Sequence, residues 1–266
     1  MQQSDRNAFL AELSASDVAL FRSHLTGFDL KPGARLQDFA ATIDQVVFPT
    51  SGLIAMTMPS HDGAGGVILL GRDGILGGCG AAASSPAMCD AEVHISGRAV
   101  RMPASAFRNF LDRSPAIRKL AVRFNAALIL QAHQTALCNA AHPLEARICR
   151  RLLEIQDRIG TSDVPLTQHA LAQMLGVQRT TVCLVAGHLK VAGMIKCLRG
   201  RIELINREEI EGRACECYGN LKAYVSRLFP VRDAQQLAGA GKATDGRFAN
   251  IAPAAAARPE AEIARR

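Results

Sequence analysis

Gln178-Arg179-Thr180-Thr181 is a run of four hydrogen-bonding side chains at the point where a helix should begin. Val182, Val185, Ala186 and Leu189 follow at the spacing of a core-facing stripe, so Gln178 to Ala192 reads as an amphipathic helix. Its opposite face carries Gln178, Arg179, Thr180, Thr181, Cys183, Leu184, Gly187 and His188. Short or hydrogen-bonding side chains in the first turn suit a helix that enters the major groove of a duplex. There the first turn meets base edges, and the amides of a helix N-terminus meet phosphate.

Such a helix needs neighbours to hold it. Leu144, Ile148, Leu152 and Ile155 mark an amphipathic helix that ends near Gly160. After Thr161-Ser162-Asp163-Val164-Pro165, Leu166-Thr167 opens a second helix with Thr167 as N-cap and Ala170, Leu171 and Met174 on its inner face. Leu175-Gly176-Val177 breaks it, with Gly176 supplying the positive φ of a tight turn. Two short strands follow the groove-facing helix, about Ile195 to Leu198 and Arg201 to Ile205, and Arg199-Gly200 turns between them as a basic wing. A final helix is expected from Asn206, with Glu209 three residues on as in a capping box, and with Ile210, Ala214, Cys217, Leu221 and Val225 inward. Helix, helix-turn-helix, hairpin, helix is a specific arrangement; its bland alternative is an all-helical interaction unit that never meets DNA.

The N-terminal part has a different texture. Short apolar runs at Val46–Phe48, Leu53–Met58, Val67–Leu70, Val93–Ile95 and Ala99–Met102 are separated by Gly- and Pro-rich turns, including Pro49-Thr50-Ser51-Gly52, Pro59-Ser60-His61-Asp62-Gly63, Gly71-Arg72-Asp73-Gly74 and Ser96-Gly97. That pattern predicts an all-β barrel or roll. A short helix, Ser105 to Leu111, precedes Ser114-Pro115, a cap with Pro at the first helical position. No Gly or Pro then interrupts the chain until about Asn139. Ile117, Leu120, Phe124, Leu128 and Cys138 fall near one face of this long helix, with Ala121, Ala127 and Thr135 beside them. The narrow stripe suits either a domain spine or a two-chain seam.

Composition narrows the function classes. Aromatics are 5% of the chain and Trp is absent, so the cores must rest on Leu, Ile, Val, Ala and Phe. The net charge is +7, and it is uneven: Met1 to Ala140 carries +1, Ala141 to Phe229 +4 and Pro230 to Arg266 +2. The basic excess thus sits with the groove-facing helix, as expected for an approach to phosphates. Eight cysteines are scattered, without a CxxC pair of metal-binding spacing. His133, Cys138, His142 and Cys149 do not share a helical face, so no metal is expected from them. The polar start, the absence of a long apolar span and the cysteine usage point to the cytoplasm, with thiols reduced. Residues 230–266, rich in Ala and Gly, are expected to be disordered. No Gly-rich phosphate loop, nucleophile elbow or HExxH occurs, and Asp73, Asp90 and Glu92 have no partner implied by spacing, so no catalytic residue and no enzyme activity is expected.

Leu166-Thr167, the run Leu171-Ala172-Gln173-Met174-Leu175-Gly176-Val177-Gln178-Arg179-Thr180-Thr181-Val182 and the wing Arg199-Gly200-Arg201-Ile202-Glu203 together resemble the Crp/Fnr family of bacterial transcription regulators. Ala214-Cys215-Glu216-Cys217-Tyr218 looks like the ending of an alphaproteobacterial-type subgroup. A weaker resemblance reaches back to about Ala8 through Ile43-Asp44-Gln45-Val46-Val47-Phe48-Pro49-Thr50-Ser51-Gly52 and Gly71-Arg72-Asp73-Gly74. The resemblance implies an α+β fold: a cyclic-nucleotide-binding-like β-roll over 8–113, a dimerisation helix over 114–141 and a winged helix-turn-helix over 142–229.

It also assigns roles. Arg179 stands where members commonly place a base-reading Arg, suited to guanine O6 and N7. Thr180 occupies a position often held by Glu or Ser, and Leu184 one where a second Arg often stands, so the half-site should depart from the best-known consensus. The groove-facing set is then Gln178, Arg179, Thr180, Cys183 and Leu184. Thr167, Thr181, Lys190, Arg199 and Arg201 are read as phosphate contacts, which position without specifying; for Lys190 a purely solvated role is the alternative. In nucleotide-binding members a Glu and an Arg hold the cyclic nucleotide. Here those positions fall near Gly78 and Met88, in a segment spanning Gly77, Gly78 and Cys89 that has no acid or base from Gly74 to Cys89. An unpaired phosphate charge in such a pocket is costly, so cyclic AMP is not expected to bind in the usual mode.

Cys79 and Cys89 flank this segment, as a redox pair or as two buried thiols. Cys183, near Arg179 and a helix N-terminus, is either a thiol whose oxidation would block DNA binding or a small spacer. The expected molecule is a homodimer on a near-palindromic site in double-stranded DNA. RNA polymerase is a further partner if it activates, and no membrane and no cofactor are expected. The effector is not legible. The competing reading is an effector- or protein-binding module whose DNA contacts have decayed.

Overall fold

The computed structural model describes residues 7–59 and 67–229. The sequence-predicted turn around His61 and the tail from Pro230 fall outside them. Asn7 is fully buried and caps the first helix, its side chain accepting from the Phe9 amide at 2.9 Å. Its Nδ2 donates to the carbonyls of Pro49 and Gly74 at 2.9 and 2.8 Å, which anchors the N-terminus to two turns of the following sheet structure. Helices α1 (Ala8–Glu12) and α2 (Ala15–Arg22) follow; the sequence reading did not anticipate them.

Seven strands come next: β1 (Thr26–Leu30), β2 (Arg35–Gln37), β3 (Gln45–Pro49), β4 (Leu53–Thr57), β5 (Val67–Leu70), β6 (Asp90–Ile95) and β7 (Gly97–Pro103). They form two antiparallel sheets, ordered β1-β7-β3 and β2-β6-β4-β5, the roll that the turn spacing predicts. Two predicted turns meet. The turn before β4 presses against the one before β7 so closely that a Cβ on Gly97 would lie 2.3 Å from the Ser51 carbonyl oxygen. Only glycine fits such an approach. The short helix α3 (Gly78–Ala83) joins β5 to β6.

Helix α4 (Ala104–Arg113) leads into α5 (Pro115–Ala141), where Ser114 accepts from the Ile117 amide at 3.3 Å and Pro115 takes the first position. With 27 residues, α5 is about 40 Å long. Ile117, Leu120, Ala121 and Phe124 close a core with Phe9, Phe21, Phe48 and Phe107. The ring of Phe9 lies 5.4–6.3 Å from those of Phe21, Phe48, Phe107 and Phe124. The predicted stripe therefore serves as a spine within one chain. A separate row on the same helix, Val122, Ile129 and Leu137, is 62%, 57% and 55% exposed. At the far end of the described chain, the Phe229 ring packs 4.5 Å from that of Phe124.

The C-terminal elements are α6 (Leu144–Ile159), β8 (Asp163–Val164), α7 (Gln168–Leu175), α8 (Arg179–Val191), β9 (Ile195–Leu198), β10 (Arg201–Leu204), α9 (Arg207–Arg213) and α10 (Cys217–Leu228). Strands β8, β10 and β9 form a small antiparallel sheet. One expectation needs correction. The final helix expected from Asn206 is two helices, broken at Ala214-Cys215-Glu216, where the backbone of Ala214 is extended (ψ 149°). Asn206 does cap the first, accepting from the Glu209 amide at 3.2 Å.

Helix α6 is buried on nearly every face. Ile148, Leu152 and Ile155 face a core shared with α7 and α8, and that same core takes in Leu53, Ala55, Leu69 and Ile95 from the second sheet. Being enclosed, α6 also buries charge: Glu154 accepts from Arg150 Nε at 2.8 Å and from an Arg151 guanidinium nitrogen at 3.0 Å, all three 3% exposed. Removing one member of a buried ionic group leaves the others uncompensated, at about 3–5 kcal/mol. Glu154→Ala should therefore lower unfolding stability by about that much, read as a shift in urea midpoint at unchanged slope.

Candidate nucleic-acid interface

The exposed helix α8 is set by a cap, a turn and a wing. The Thr167 hydroxyl accepts from the Ala170 amide at 3.0 Å and starts α7, whose Leu171, Ala172, Met174 and Leu175 are buried. Gly176 ends it in the left-handed region (φ +64°), and the Val177 amide reaches back to the Ala172 carbonyl at 3.1 Å. A side chain at that φ is disfavoured, so this glycine fixes the angle at which the chain enters α8. Gln178 takes the N-cap position with extended backbone and no capping bond from its side chain.

Val182, Ala186 and Leu189 of α8 are buried against α6 and α7, which turns the first-turn side chains outward. Gln178, Arg179, Thr180 and Thr181 are all exposed, as are His188 and Lys190, and Leu184 is 62% exposed. Arg179 makes no hydrogen bond or ion pair with another described residue. Cys183 sits apart from this set. It is half-buried at the crossing of the two helices, where its thiol donates to Gln168 Oε1 at 2.9 Å. Gln168 Nε2 in turn reaches the Cys197 sulfur in β9 at 3.5 Å. Gln168 was not singled out from sequence; a polar residue just inside a helix start carries no signal that it will bridge three elements.

The wing is the β9–β10 hairpin. Arg201 pairs with Leu198 in register, Gly200 has φ +78°, and Ile195, Ile202 and Leu204 are buried beneath. Arg199 projects exposed from the turn, while Arg201 forms an ion pair with Asp163 of β8 at 3.2 Å. Behind the wing, Arg207 holds α9 to α6 through Asp157 at 2.9 Å, the Tyr218 hydroxyl at 2.6 Å and Gln156. The Tyr218 hydroxyl donates to Asp157 at 2.7 Å; burial and the neighbouring carboxylate push its pKa well above the ordinary phenol range, so it stays a donor. Sequence spacing gave no hint of this clamp, which links residues 50 and 61 positions apart.

In the N-terminal half, Gly77 (φ +78°) leads into α3, Gly78 is buried and Met88 is exposed. A Cβ on Gly80 would lie 2.2 Å from Ile43 Cδ1, so that aliphatic side chain fills the space beside the helix. Cys89 is buried, and burial together with Asp90 pushes its thiol up to about 11. It stays protonated at neutral pH, which weakens a redox pair with the half-buried Cys79. Of the four residues weighed for metal from α5 and α6, His133 is exposed and Cys149 is buried in another cluster, its thiol raised to about 11 by burial. Cys138 and His142 do come together, with partners from a distant segment.

Residues 146–213 match the family model described as the Crp-like helix-turn-helix domain. This segment is similar to Crp-like helix-turn-helix domains. No curated protein sequence matches the chain. Among solved structures, FixK2 from Bradyrhizobium japonicum is 16% identical with a TM-score of 0.63, over 72% of this chain and 98% of that one. The c-di-GMP-responsive regulator CLP of Xanthomonas campestris is 14% identical with a TM-score of 0.61, over 73% and 100%. A transcriptional regulator of the Crp/Fnr family from Thermus thermophilus is 20% identical with a TM-score of 0.59, over 71% and 98%. The roll, long helix and Crp-like helix-turn-helix thus share the overall fold of Crp/Fnr regulators. Loss of the Thr167 cap should loosen this unit: Thr167→Ala should cost about 1 kcal/mol of stability, with Thr167→Ser near wild type in thermal unfolding.

Proposed function

We propose that the chain is a homodimeric transcription regulator that reads double-stranded DNA through α8. One observation carries this reading: the first turn of α8 presents Gln178, Arg179, Thr180 and Thr181 to solvent, with Arg179 unpartnered among the described residues, on a helix clamped from behind by Val182, Ala186 and Leu189. A free guanidinium on a rigid rod is suited to bidentate reading of guanine. Leu184 offers an apolar contact to a thymine methyl, and Cys183, engaged with Gln168, acts as a spacer. Arg199 of the wing, Lys190 and Thr181 supply phosphate contacts, while Arg201 and Thr167 would serve there in addition to their bonds to Asp163 and the Ala170 amide.

Two-fold symmetry comes from α5. Val122, Ile129 and Leu137 form an apolar row with spacings of 7 and 8 residues on a helix otherwise committed to its own core, which suits a seam with a second copy. Pairing there calls for half-sites about one helical turn apart. On this reading 8–113 is the sensing roll, 114–141 the pairing helix and 142–229 the DNA-reading unit. An activating role would add RNA polymerase as a partner.

Footprinting on genomic fragments supplies the operator, after which two variants separate reading from positioning. Arg179→Ala should cost about 1–3 kcal/mol and relax one base position; Arg199→Ala should weaken all sequences alike and reduce the salt slope by about one. Equal losses on random DNA for both would overturn the assignment. The roll is read as not answering to cyclic AMP in the usual mode, because α3 carries no charged side chain and Ile43 fills its flank. Calorimetry with cyclic AMP should show no heat of binding, and operator affinity should not change when it is added.

A further inference from the structure

The break between α9 and α10 has a consequence at the other end of the long helix. Cys215 and Cys217, on either side of Glu216, turn inward and meet Cys138 and His142 at the end of α5. The three thiol sulfurs and one ring nitrogen of His142 all lie within 4.8 Å of one another, the one such group of three or more among the described residues. Cys138 Sγ is 3.5 Å from Cys215 Sγ, and Cys217 Sγ is 3.4 Å from His142 Nδ1. A tetrahedral ion with Zn–S near 2.3 Å and Zn–N near 2.0–2.1 Å holds its ligands about 3.5–3.8 Å apart, so these two separations are close to those of a coordination sphere and the rest, within 4.8 Å, need only a small contraction. All three cysteines are buried and none is in a disulfide.

We propose that Cys138, His142, Cys215 and Cys217 form a Cys3His zinc site that ties the end of α5 to the α9–α10 junction. The surroundings fit the ion. His142 turns Nδ1 to the sulfurs, while its Nε2 lies 3.1 Å from Glu216 Oε1. A carboxylate behind a ligating imidazole fixes its tautomer and raises its basicity. Gln134 Nε2 is buried without an acceptor among the described residues and faces Cys217, whose metal-bound thiolate would accept from it. The buried Arg150 lies against Cys138. This places a fixed positive charge beside the sulfur. Uptake of the ion releases the thiol protons, leaving three thiolates and a neutral imidazole around it. Four side chains this close leave no space for the several iron and sulfide atoms of a cluster. The site does not depend on the DNA-reading function proposed above.

Purified under reductant and dialysed against a weak chelator, the full-length chain should retain about one zinc per chain by elemental analysis. Exchange to cobalt(II) should give the intense visible bands of tetrahedral thiolate coordination. Cys215→Ser and Cys217→Ser should each lose most of the metal, Cys149→Ser should keep it, and adding zinc to stripped wild type should raise its melting temperature. The wild-type cobalt spectrum decides the matter even if the variants fold poorly. The proposal falls if the folded, reduced chain takes up neither ion, if cobalt gives only weak octahedral bands, if a brown iron–sulfur chromophore appears, or if Cys138 and Cys215 are found joined as a disulfide under these conditions.

Discussion

Helix α6 is the element on which the two halves of the molecule depend. It completes the core of the helix-turn-helix and at the same time covers the β4–β5–β6 face of the roll, so that Leu53, Leu69 and Ile95 belong to the same apolar cluster as Leu171, Val182 and Leu189. A helix with no solvent face has nowhere to put its polar residues, and the Arg150–Glu154–Arg151 group is the result. Asp73 adds a second tie, its carboxylate 3.1 Å from Arg158 at the roll's edge. The roll therefore meets α6 directly, through packing and one ion pair, as well as through its contacts with α5.

Much of the helix-turn-helix was legible because its local signals agree. The Thr167 cap, the left-handed Gly176, the stripe Val182–Ala186–Leu189 and the Gly200 turn each point to the same geometry, and each is local in sequence. The roll was legible as a class, from turn residues flanking short apolar runs. Its first two strands and two N-terminal helices were not, because Thr26–Leu30 and Arg35–Gln37 are too short and too polar to form an apolar run and Ala8–Arg22 has almost no hydrophobic periodicity. What makes α1 hold is tertiary: Asn7 bonded to two remote carbonyls and Phe9 enclosed by four rings.

The long helix shows where pattern reading reaches its limit. A stripe of Ile, Leu and Phe can face a neighbour in the same chain or in another, and periodicity does not distinguish them. Here it faces inward, and a second, sparser row faces out. The final helix was misread for a related reason. Ala214, Cys217, Leu221 and Val225 keep helical spacing across the break, so the stripe continues although the backbone does not. That interruption also brings together thiols and an imidazole some 75 residues apart, a proximity that no local window contains.

The ring of Phe124 is touched from both ends of the described chain, by Phe9 at 5.4 Å and by Phe229 at 4.5 Å. The two ends of the described residues thus share a single apolar seat and close on it like a clasp. A truncation that removes Phe229 would uncover the aromatic core of the opposite half. A permuted chain, cut elsewhere and joined by a short linker across this point, would keep every packed element in place.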